Sequence, residues 1–463
     1  MTDNPNEQER EVDGGGQPTS RLERLAYRSV PLWTVLLLSA LGLLAAWAFG
    51  ALALNGEREG RMPLNRVARD FAGLPSSVWG VLTNSSFEPF LSPAGGEPLS
   101  GGFWRNTEGS FVDPGYLLTT VYDPQRSVPF VRLIRLSDGT TIREYRPELE
   151  PLARVAAEEA TPATASPGAI FRPGHPDLMD DGGLLFIGTY LLVRSDVCSR
   201  PLWTRPGHHH SIERNDRGEI WTPAVLPVQG RDDVGPGYLN DGLTLTAPDG
   251  TRRYERDLTR IFLENGLEGL LLGRPYNDDP FHLNDVQPVE TDGPHWKRGD
   301  VFLSLRHLSM VILFRPSTGK AIWWKIGPWL GQHDVNILDD HRIAIFDNRT
   351  AYGEGGAAVV GTSRQLVYDF SNGSVTSPWE AGFRRWNLAV TSNGRGTPFP
   401  NGDLFVEDTE RGQALRMSAN GDLRWRFVNA DDQKRRYWMF WSRYLDPVQY
   451  RVAIRAAETA SCP

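Results

Sequence analysis

Cysteine is scarce in this chain, which has only Cys198 and Cys462 among its 463 residues. It contains no C-x-x-C motif and no Cys/His cluster, which excludes the common structural zinc sites. In an oxidising compartment the two thiols can close one disulfide, although the sequence does not show that their Cα atoms come close enough. The chemistry of the protein must therefore come from other side chains.

The motifs of several large enzyme classes are also missing. The chain has no G-x-x-x-x-G-K-[ST] loop, no G-x-G-x-x-G turn between a strand and a helix, and no G-x-S-x-G elbow. Nucleotide-dependent transfer and serine hydrolysis therefore lack support, and neither a cofactor nor a metal is expected. Positive charge is limited too: 49 Lys and Arg stand against 57 Asp and Glu. The net charge of −8 argues against a nucleic-acid partner.

Long apolar runs are confined to the N-terminal region, where residues 29–56 carry no charged side chain. The run over 30–54 is long enough to cross the ~30 Å hydrocarbon core of a bilayer. Arg21, Arg24 and Arg28 precede it, so the positive-inside bias predicts a single-pass protein with a cytoplasmic N-terminus and a periplasmic or other extracytoplasmic C-terminal part. The alternative is a cleaved signal peptide, but the run exceeds the usual apolar region of ~7–15 residues.

Composition divides the chain into four parts. Residues 1–29 are predicted to form a cytoplasmic disordered tail, and residues 30–54 form the transmembrane anchor. Residues 55–100 are interpreted as a membrane-proximal helix and linker. Residues 101–463 are predicted to form a β-propeller domain with a C-terminal extension.

The last part has the pattern of an all-β protein. Short apolar runs alternate with Asx-Gly turns such as Asp138-Gly139 and Asn420-Gly421, which are strong hairpin signals. Several turns lead into a strand that carries Trp at a similar offset, and such a repeat indicates a propeller of about six blades, although length alone allows eight. Asp257 and the apolar residues after it predict a helical insertion. Residues 430–463 are predicted to be helical.

Four of the predicted hairpins begin on a histidine: His175, His210, His282 and His333. The innermost strand of each propeller blade lines the central channel, so these imidazoles are expected to converge. Arg306 lies in the middle of an apolar strand, where a buried cation needs an anionic partner or ligand. Together with Asn284 these residues predict a donor-rich pocket for an anion with several oxygens, such as sulfate or phosphate.

Other polar residues have structural interpretations. A single histidine at the start of a strand is more often a hydrogen-bonding residue of the fold than a reactive group. His208 is expected in a surface turn, while His307 and His341 are expected to support their strands. The pair Asp347-Asn348 is interpreted as closing a turn.

In this order, several pieces of the chain resemble the bacterial arylsulfotransferase family: His209-His210-Ser211-Ile212, His282-Leu283-Asn284-Asp285-Val286, Ser304-Leu305-Arg306, Gln332-His333-Asp334 and Phe346-Asp347-Asn348. The resemblance covers about residues 110–430, and the anchored arrangement resembles an uncharacterised branch. Members of this family are extracytoplasmic six-bladed propellers. They move a sulfuryl group from a phenolic sulfate ester to a phenolic acceptor without a nucleotide sulfate donor.

The resemblance also implies residue roles. His333 matches the histidine that takes up the sulfuryl group transiently. The other residues with implied roles are the catalytic His210, His282 and Arg306 and the substrate-binding His209 and Asn284. A neutral imidazole is a competent nucleophile near pH 7, and fixed donors stabilise the charge that develops on the sulfuryl oxygens. Asp285 or Asp334 is a candidate to orient an imidazole.

Two other functions remain open. The same pocket would serve a non-catalytic extracytoplasmic propeller that binds an anionic ligand or an envelope partner. Alternatively, the histidines would ligate a cation in a metal-dependent propeller hydrolase or lyase. Arg306 argues against the latter, because a fixed cation in the pocket repels a metal ion.

Overall fold

The computed structural model describes residues 31–55, 101–106, 111–161, 164, 171–227, 238–353 and 356–462. The predicted tail over 1–29 and nearly all of the predicted linker over 55–100 lie outside these residues. The chain divides into two compact units, residues 1–86 and residues 87–463.

In the first unit, the described residues form one apolar helix, α1 (Leu32–Asn55). The part Leu32–Gly50 is long and apolar enough to cross a membrane, a test that a signal sequence also passes. Its large side chains are exposed, Leu43 and Trp47 each by 73%. The predicted apolar helix is therefore confirmed. Its topology stays a prediction.

The second unit is built mainly from antiparallel strands. In chain order they are β1 Gly102–Arg105, β2 Tyr116–Asp123, β3 Val128–Arg135, β4 Thr141–Tyr145, β5 Gly174–Leu178, β6 Leu184–Gly188, β7 Leu191–Ser195, β8 Pro201–Pro206, β9 Glu213–Arg214, β10 Ile220–Val225, β11 Asp241–Thr246, β12 Arg252–Asp257, β13 Leu283–Pro288, β14 Val301–Leu305, β15 Met310–Arg315, β16 Lys320–Ile326, β17 His333–Ile337, β18 Arg342–Asp347, β19 Thr350–Gly353, β20 Gly356–Val359, β21 Arg364–Asp369, β22 Val375–Thr376, β23 Arg395–Pro398, β24 Leu404–Asp408, β25 Gln413–Met417, β26 Leu423–Val428 and β27 Arg443–Leu445. The helices are α2 Leu149–Glu158, α3 Leu258–Glu264, α4 Gly269–Leu272, α5 Glu380–Arg385 and α6 Arg451–Thr459, with a 3-10 turn at Arg306–Leu308.

These strands form six blades. From the inside outwards, blade 1 is β27-β2-β3-β4, blade 2 is β5 to β8, blade 3 is β9 to β12, blade 4 is β13 to β16, blade 5 is β17-β18-β21-β22, and blade 6 is β23 to β26 with β1 as a fifth strand. The hairpin β19–β20 leaves blade 5 between β18 and β21. Neighbouring inner strands contact one another, as β13 does with β17 and β17 with β23. The predicted six-bladed propeller is confirmed.

The turns follow the predicted chemistry. Gly139 and Gly421 adopt φ angles of 76° and 84°, a region that glycine enters at little cost. The predicted helical insertion is also present as α3 and α4. Asp257 caps α3 by accepting a hydrogen bond from the backbone N–H of Arg260, and Phe262 on this helix is fully buried.

The C-terminal region differs from its prediction. The helix expected over residues 430–463 is confirmed only for α6, because the preceding residues supply β27. This strand pairs with β2, with Leu445 opposite Tyr116, and so completes blade 1. A disulfide joins Cys198 to Cys462 with a Cα–Cα distance of 5.5 Å. It ties the chain after α6 to the β7–β8 turn of blade 2.

Buried side-chain oxygens connect successive blades. Four carboxylates each accept a backbone N–H from the next blade in the ring: Asp241 from Leu283 (2.7 Å), Asp285 from Val335 (2.8 Å), Asp334 from Gly396 (2.9 Å) and Glu407 from Trp441 (2.9 Å). A buried amide without an acceptor is costly, so these bonds fix the register between blades. They hold the inner strands whose first residues form the candidate site.

Candidate active site

The histidines of the pocket stand where the inner strands begin. His175, His210 and His282 adopt φ angles of 52°, 55° and 52°, which are uncommon for residues other than glycine. The pairing of β5 with β6 and of β13 with β14 shifts register at this point. Such bulges redirect a side chain, and here they turn imidazoles from different blades towards one another.

The imidazole rings form a continuous group. The ring centroid of His210 lies 6.3 Å from that of His175 and 4.8 Å from that of His282. The ring of His282 lies 4.5 Å from that of His307. His175 in turn packs 4.5 Å from Trp441. The structure thus brings together histidines from blades 2, 3 and 4.

His333 is held through a well-defined hydrogen bond. Its Nδ1 lies 2.7 Å from Oδ1 of Asn348. The amide nitrogen of Asn348 donates to the carbonyl oxygens of Val390 and Asn393 at 2.9 and 2.8 Å, which orients Oδ1 as the acceptor. Nδ1 of His333 must then carry the proton, and the lone pair is left on Nε2. This tautomer follows from the hydrogen-bond network.

The electrostatic surroundings favour the neutral form of His333 and of His210. Burial, reinforced by the nearby guanidinium of Arg306, holds the pKa of His333 well below its usual range. Burial and the neighbouring His282 do the same to the pKa of His210. A neutral imidazole with its lone pair on Nε2 has the form that a nucleophile needs near neutral pH.

Arg306 supplies positive charge without a paired carboxylate. Its Nη2 donates to the carbonyl oxygen of Thr391 at 3.3 Å, and its guanidinium carbon lies 5.6 Å from the ring centroid of Tyr352. Nε is buried and has no hydrogen-bond partner. Among the described residues, no carboxylate lies within 4 Å of this guanidinium. An unpaired, partly buried cation of this kind suits an anionic ligand.

Asp279 connects two further imidazoles. Nδ1 of His282 donates to its carboxylate at 2.5 Å, and Nδ1 of His307 donates to its backbone oxygen at 2.6 Å. Burial, the largest single effect, raises the pKa of Asp279, but the hydrogen bond from His282 and the charge interactions with the neighbouring histidines together hold this pKa below its usual value. One potential ligand atom from each of these three residues lies within 4.8 Å of the others, close enough to hold a metal ion. A metal would replace the present hydrogen bonds.

The two predicted substrate-binding residues, Asn284 and His209, contact other residues of the pocket. Asn284 is fully buried, and its Nδ2 donates to the carbonyl oxygen of Gln332 at 2.7 Å. Nδ1 of His209 lies 2.6 Å from Nδ1 of His210. Nε2 of His209 lies 3.2 Å from Oδ1 of Asp241, without hydrogen-bond alignment. In this arrangement Nδ2 of Asn284 is already engaged, whereas its buried Oδ1 has no hydrogen-bond partner among the described residues.

Several sequence interpretations need correction. Asp285 and Asp334 do not orient an imidazole, because they accept backbone amides of the next blades. His208 is not in a surface turn: it is fully buried, its Nδ1 lies 2.7 Å from Oγ1 of Thr222, and burial lowers its pKa to about 3. Asn348 does more than close a turn, since it fixes the tautomer of His333. Only its position directly after β18 hinted at this.

Comparisons with known proteins gave a family match and several similar solved structures. Residues 203–430 match the model of the family described as arylsulfotransferase (ASST). A comparison with curated proteins gave no match. Similar solved structures include a protein of unknown function from Bacteroides caccae (11% identity, TM-score 0.45, covering 72% of this chain and 99% of that one) and hydrazine synthase of Kuenenia stuttgartiensis (9%, 0.39, 68% and 79%). These TM-scores are below 0.5, and the blade count rests on the strand pairing. The match over residues 203–430, just under half of the chain, identifies this region as similar to the arylsulfotransferase family.

Proposed function

We propose that the protein transfers a sulfuryl group from a phenolic sulfate ester to a phenolic acceptor, through a sulfohistidine formed at His333. The observation that carries this proposal is the fixed, neutral imidazole of His333, whose Nδ1 proton is held by Asn348. The family match over residues 203–430 supports aryl sulfotransferase activity. It assigns no roles to individual residues, and these roles are our proposal.

In the first step, Nε2 of His333 attacks the sulfur of the donor. The N–S bond forms as the S–O bond to the phenol breaks, and the phenolate leaves with the bonding electrons. Charge is spread over the three remaining oxygens, and positioned donors stabilise it, as in phosphoryl transfer. Arg306 and His282 are the donors that we assign to these oxygens, with Nε2 of His282 donating from the doubly protonated ring whose Nδ1 is held by the carboxylate of Asp279. The unpaired Nε of Arg306 is available for this role.

Three other residues receive supporting roles. His210 is a neutral imidazole in contact with His282 and would line the donor site. Asn284 holds the carbonyl of Gln332, directly before the nucleophile, and so would position His333. His209 would likewise position His210, through the contact between their Nδ1 atoms. The last two would therefore act on the substrate indirectly.

We also propose that α1 is an uncleaved anchor, with a cytoplasmic N-terminus and an extracytoplasmic propeller. The Cys198–Cys462 disulfide fits an oxidising compartment. N-terminal sequencing of the protein purified from membranes tests this point. A mature N-terminus that starts after α1 would show that the segment is a cleaved signal.

The test of the activity is mass spectrometry of the protein after rapid mixing with a phenyl sulfate donor. We expect the mass of one sulfuryl group on the peptide that contains His333, with release of one equivalent of phenol. His333→Gln should abolish both. His341→Gln is the matched control, because His341 is solvent-accessible and hydrogen-bonded to Asp340. Phenol release without an adduct, or neither, would contradict the proposal and favour a hydrolase or a binding protein.

A metal-dependent hydrolase or lyase is the second candidate, because Asp279, His282 and His307 are close enough to share an ion. Elemental analysis of the purified protein distinguishes the two. One tightly held metal per chain, with activity lost on chelation and restored by that metal, would favour the second candidate. Full transfer activity after chelation would exclude it.

A further inference from the structure

His307 lies at the same end of blade 4 as His282. Its backbone N–H donates to the carbonyl oxygen of Phe281 at 3.2 Å, and that of Arg306 donates to the carbonyl oxygen of His282 at 3.1 Å. The 3-10 turn after β14 therefore places Arg306 and His307 directly opposite the start of β13. His307 belongs to the pocket, although the sequence assigns it only a strand-supporting role.

The tautomer of His307 is fixed by its own partner. Its Nδ1 lies 2.6 Å from the backbone oxygen of Asp279, and a carbonyl can only accept. Nδ1 must then carry the proton, which leaves the lone pair on Nε2. Within the described part of the chain, Nε2 has no hydrogen-bond partner. The side chain is 21% exposed and its ring stands edge-to-face to the exposed ring of Tyr352, 6.1 Å away. The imidazole of His307 is therefore accessible to solvent.

The charges around His307 favour its neutral form. Burial and the neighbouring His282 lower its pKa, while the hydrogen bond to Asp279 has the opposite effect and Arg306 adds to the lowering. Because Nδ1 donates to the carbonyl oxygen of Asp279, Nε2 has the lone pair that accepts a proton. Among the described residues, the titratable neighbours of the ring are His282, Asp279, Arg306 and Tyr352.

The second step of the proposed reaction needs such a group. Once Nε2 of His333 is bonded to sulfur and Nδ1 donates to Asn348, this ring has no lone pair left. His282 is assigned as a donor through both nitrogens, from Nδ1 to Asp279 and from Nε2 to the sulfuryl oxygens, so it has no lone pair either. His210 is packed between His209 and His282. His307 is the imidazole that remains accessible to an incoming phenol.

We infer that His307, held by Asp279, is the base that takes the proton of the acceptor phenol, an inference that rests on the proposed function. The phenol oxygen bonds to sulfur as the S–N bond to His333 breaks and its electron pair returns to Nε2. The phenol proton moves to Nε2 of His307 and then to solvent. No other reactant is needed.

The experiment separates the two half-reactions in the full-length protein. The sulfohistidine is formed with a phenyl sulfate donor, the donor is removed, and phenols of increasing acidity are added in single-turnover reactions. For His307→Gln we expect adduct formation within about twofold of wild type. Transfer to a weakly acidic phenol should fall about 10²–10⁴-fold, the usual contribution of a general base. This loss should shrink as the phenol becomes more acidic and disappear for one that is already ionised.

Two controls sharpen the result. His341→Gln should match wild type with every phenol, and added imidazole should restore transfer in His307→Gly. An equal loss for all phenols would assign His307 a structural role and overturn the inference, as would no loss at all. An absent adduct in the wild-type protein would refute the proposed function itself, and the inference with it.

Discussion

A side-chain amide, rather than a carboxylate, orients His333. Asn348 accepts the Nδ1 proton without adding negative charge, so the imidazole stays neutral. A carboxylate in its place would favour the imidazolium and raise the pKa of His333. The choice of amide therefore fits a nucleophile, whereas a carboxylate suits an imidazole that receives a proton.

Substitution of Asn348 tests this role. We expect Asn348→Ala to slow adduct formation about 10–100-fold at all pH values, the usual effect of losing an orienting partner. Asn348→Asp should slow it at pH 7 but recover as the pH is raised, because His333 then loses its extra proton. Rapid-quench measurements between pH 6 and 9 distinguish the two. Asn372→Asp, in an exposed turn, is the control. Equal pH profiles for Asn348→Ala and Asn348→Asp would contradict the proposed role of Asn348.

The pH dependence of the wild-type enzyme follows from burial and from Arg306, which hold the pKa of His333 below its usual value of about 6.5. Adduct formation requires the neutral ring, so it should stay constant as the pH falls from 8 to about 6.5 and decline only at lower pH. Arg306→Gln removes the cation and should move this acid limb upwards. The midpoint of the rate profile is the readout, since the variant is also slower at every pH. A wild-type midpoint at or above 6.5 would be inconsistent with this account.

At the scale of elements, the inner strands depend on buried carboxylates. Glu407 is fully buried and accepts hydrogen bonds from the backbone N–H groups of Trp441 and Ser442. These two residues directly precede β27. Trp441 in turn packs against His175. The register of β27 and the wall of the pocket are thus fixed by the same side chain.

Glu407→Gln should destabilise the propeller. The amide nitrogen that replaces one carboxylate oxygen cannot accept from a backbone N–H, and each buried group left unpaired costs about 1–3 kcal/mol. Urea unfolding measures the loss. Glu380→Gln, at a solvent-accessible position of α5 where the side chain pairs with Arg384, should change the free energy of unfolding by no more than about 0.5 kcal/mol. Equal stabilities for the two variants would refute the role of Glu407.

Local patterns predicted the elements well where the chain itself contains the signal. Asx-Gly turns between apolar runs located hairpins, and a capping Asp257 located α3. β27 was missed because it has three residues and pairs only with β2, a strand far away in the sequence. Likewise, Asn348 is oriented by the carbonyl oxygens of Val390 and Asn393, and Asp279 also accepts from His307. These partners are distant in the sequence, so no local pattern contains that information.

At the scale of the whole molecule, the ring is closed twice: by β27 in blade 1 and by the disulfide from Cys462 to blade 2. The sequence predicted six blades from repeats, and the convergence of the histidines followed from that architecture. The pairing of the two cysteines stayed open, because it depends on where α6 docks.

Reduction of the disulfide should lower the stability of the protein. It closes a loop with a sequence separation of 264 residues, and losing a native disulfide typically costs about 2–5 kcal/mol. We expect urea unfolding to shift to lower concentration when reductant is added. The double variant Cys198→Ser/Cys462→Ser should be insensitive to reductant. An unchanged midpoint for the wild type on full reduction would show that β27 alone secures the closure.

The pairing of β27 with β2 has a consequence for biogenesis. As the polypeptide emerges from its N-terminus, β2 is made early, yet the edge that later pairs with β27 has no native neighbour until residues 443–445 arrive. An open strand edge invites pairing with other chains. Nascent chains of this protein are therefore exposed to incorrect strand pairing until β27 is made. A chaperone that binds them during this period would have its largest effect.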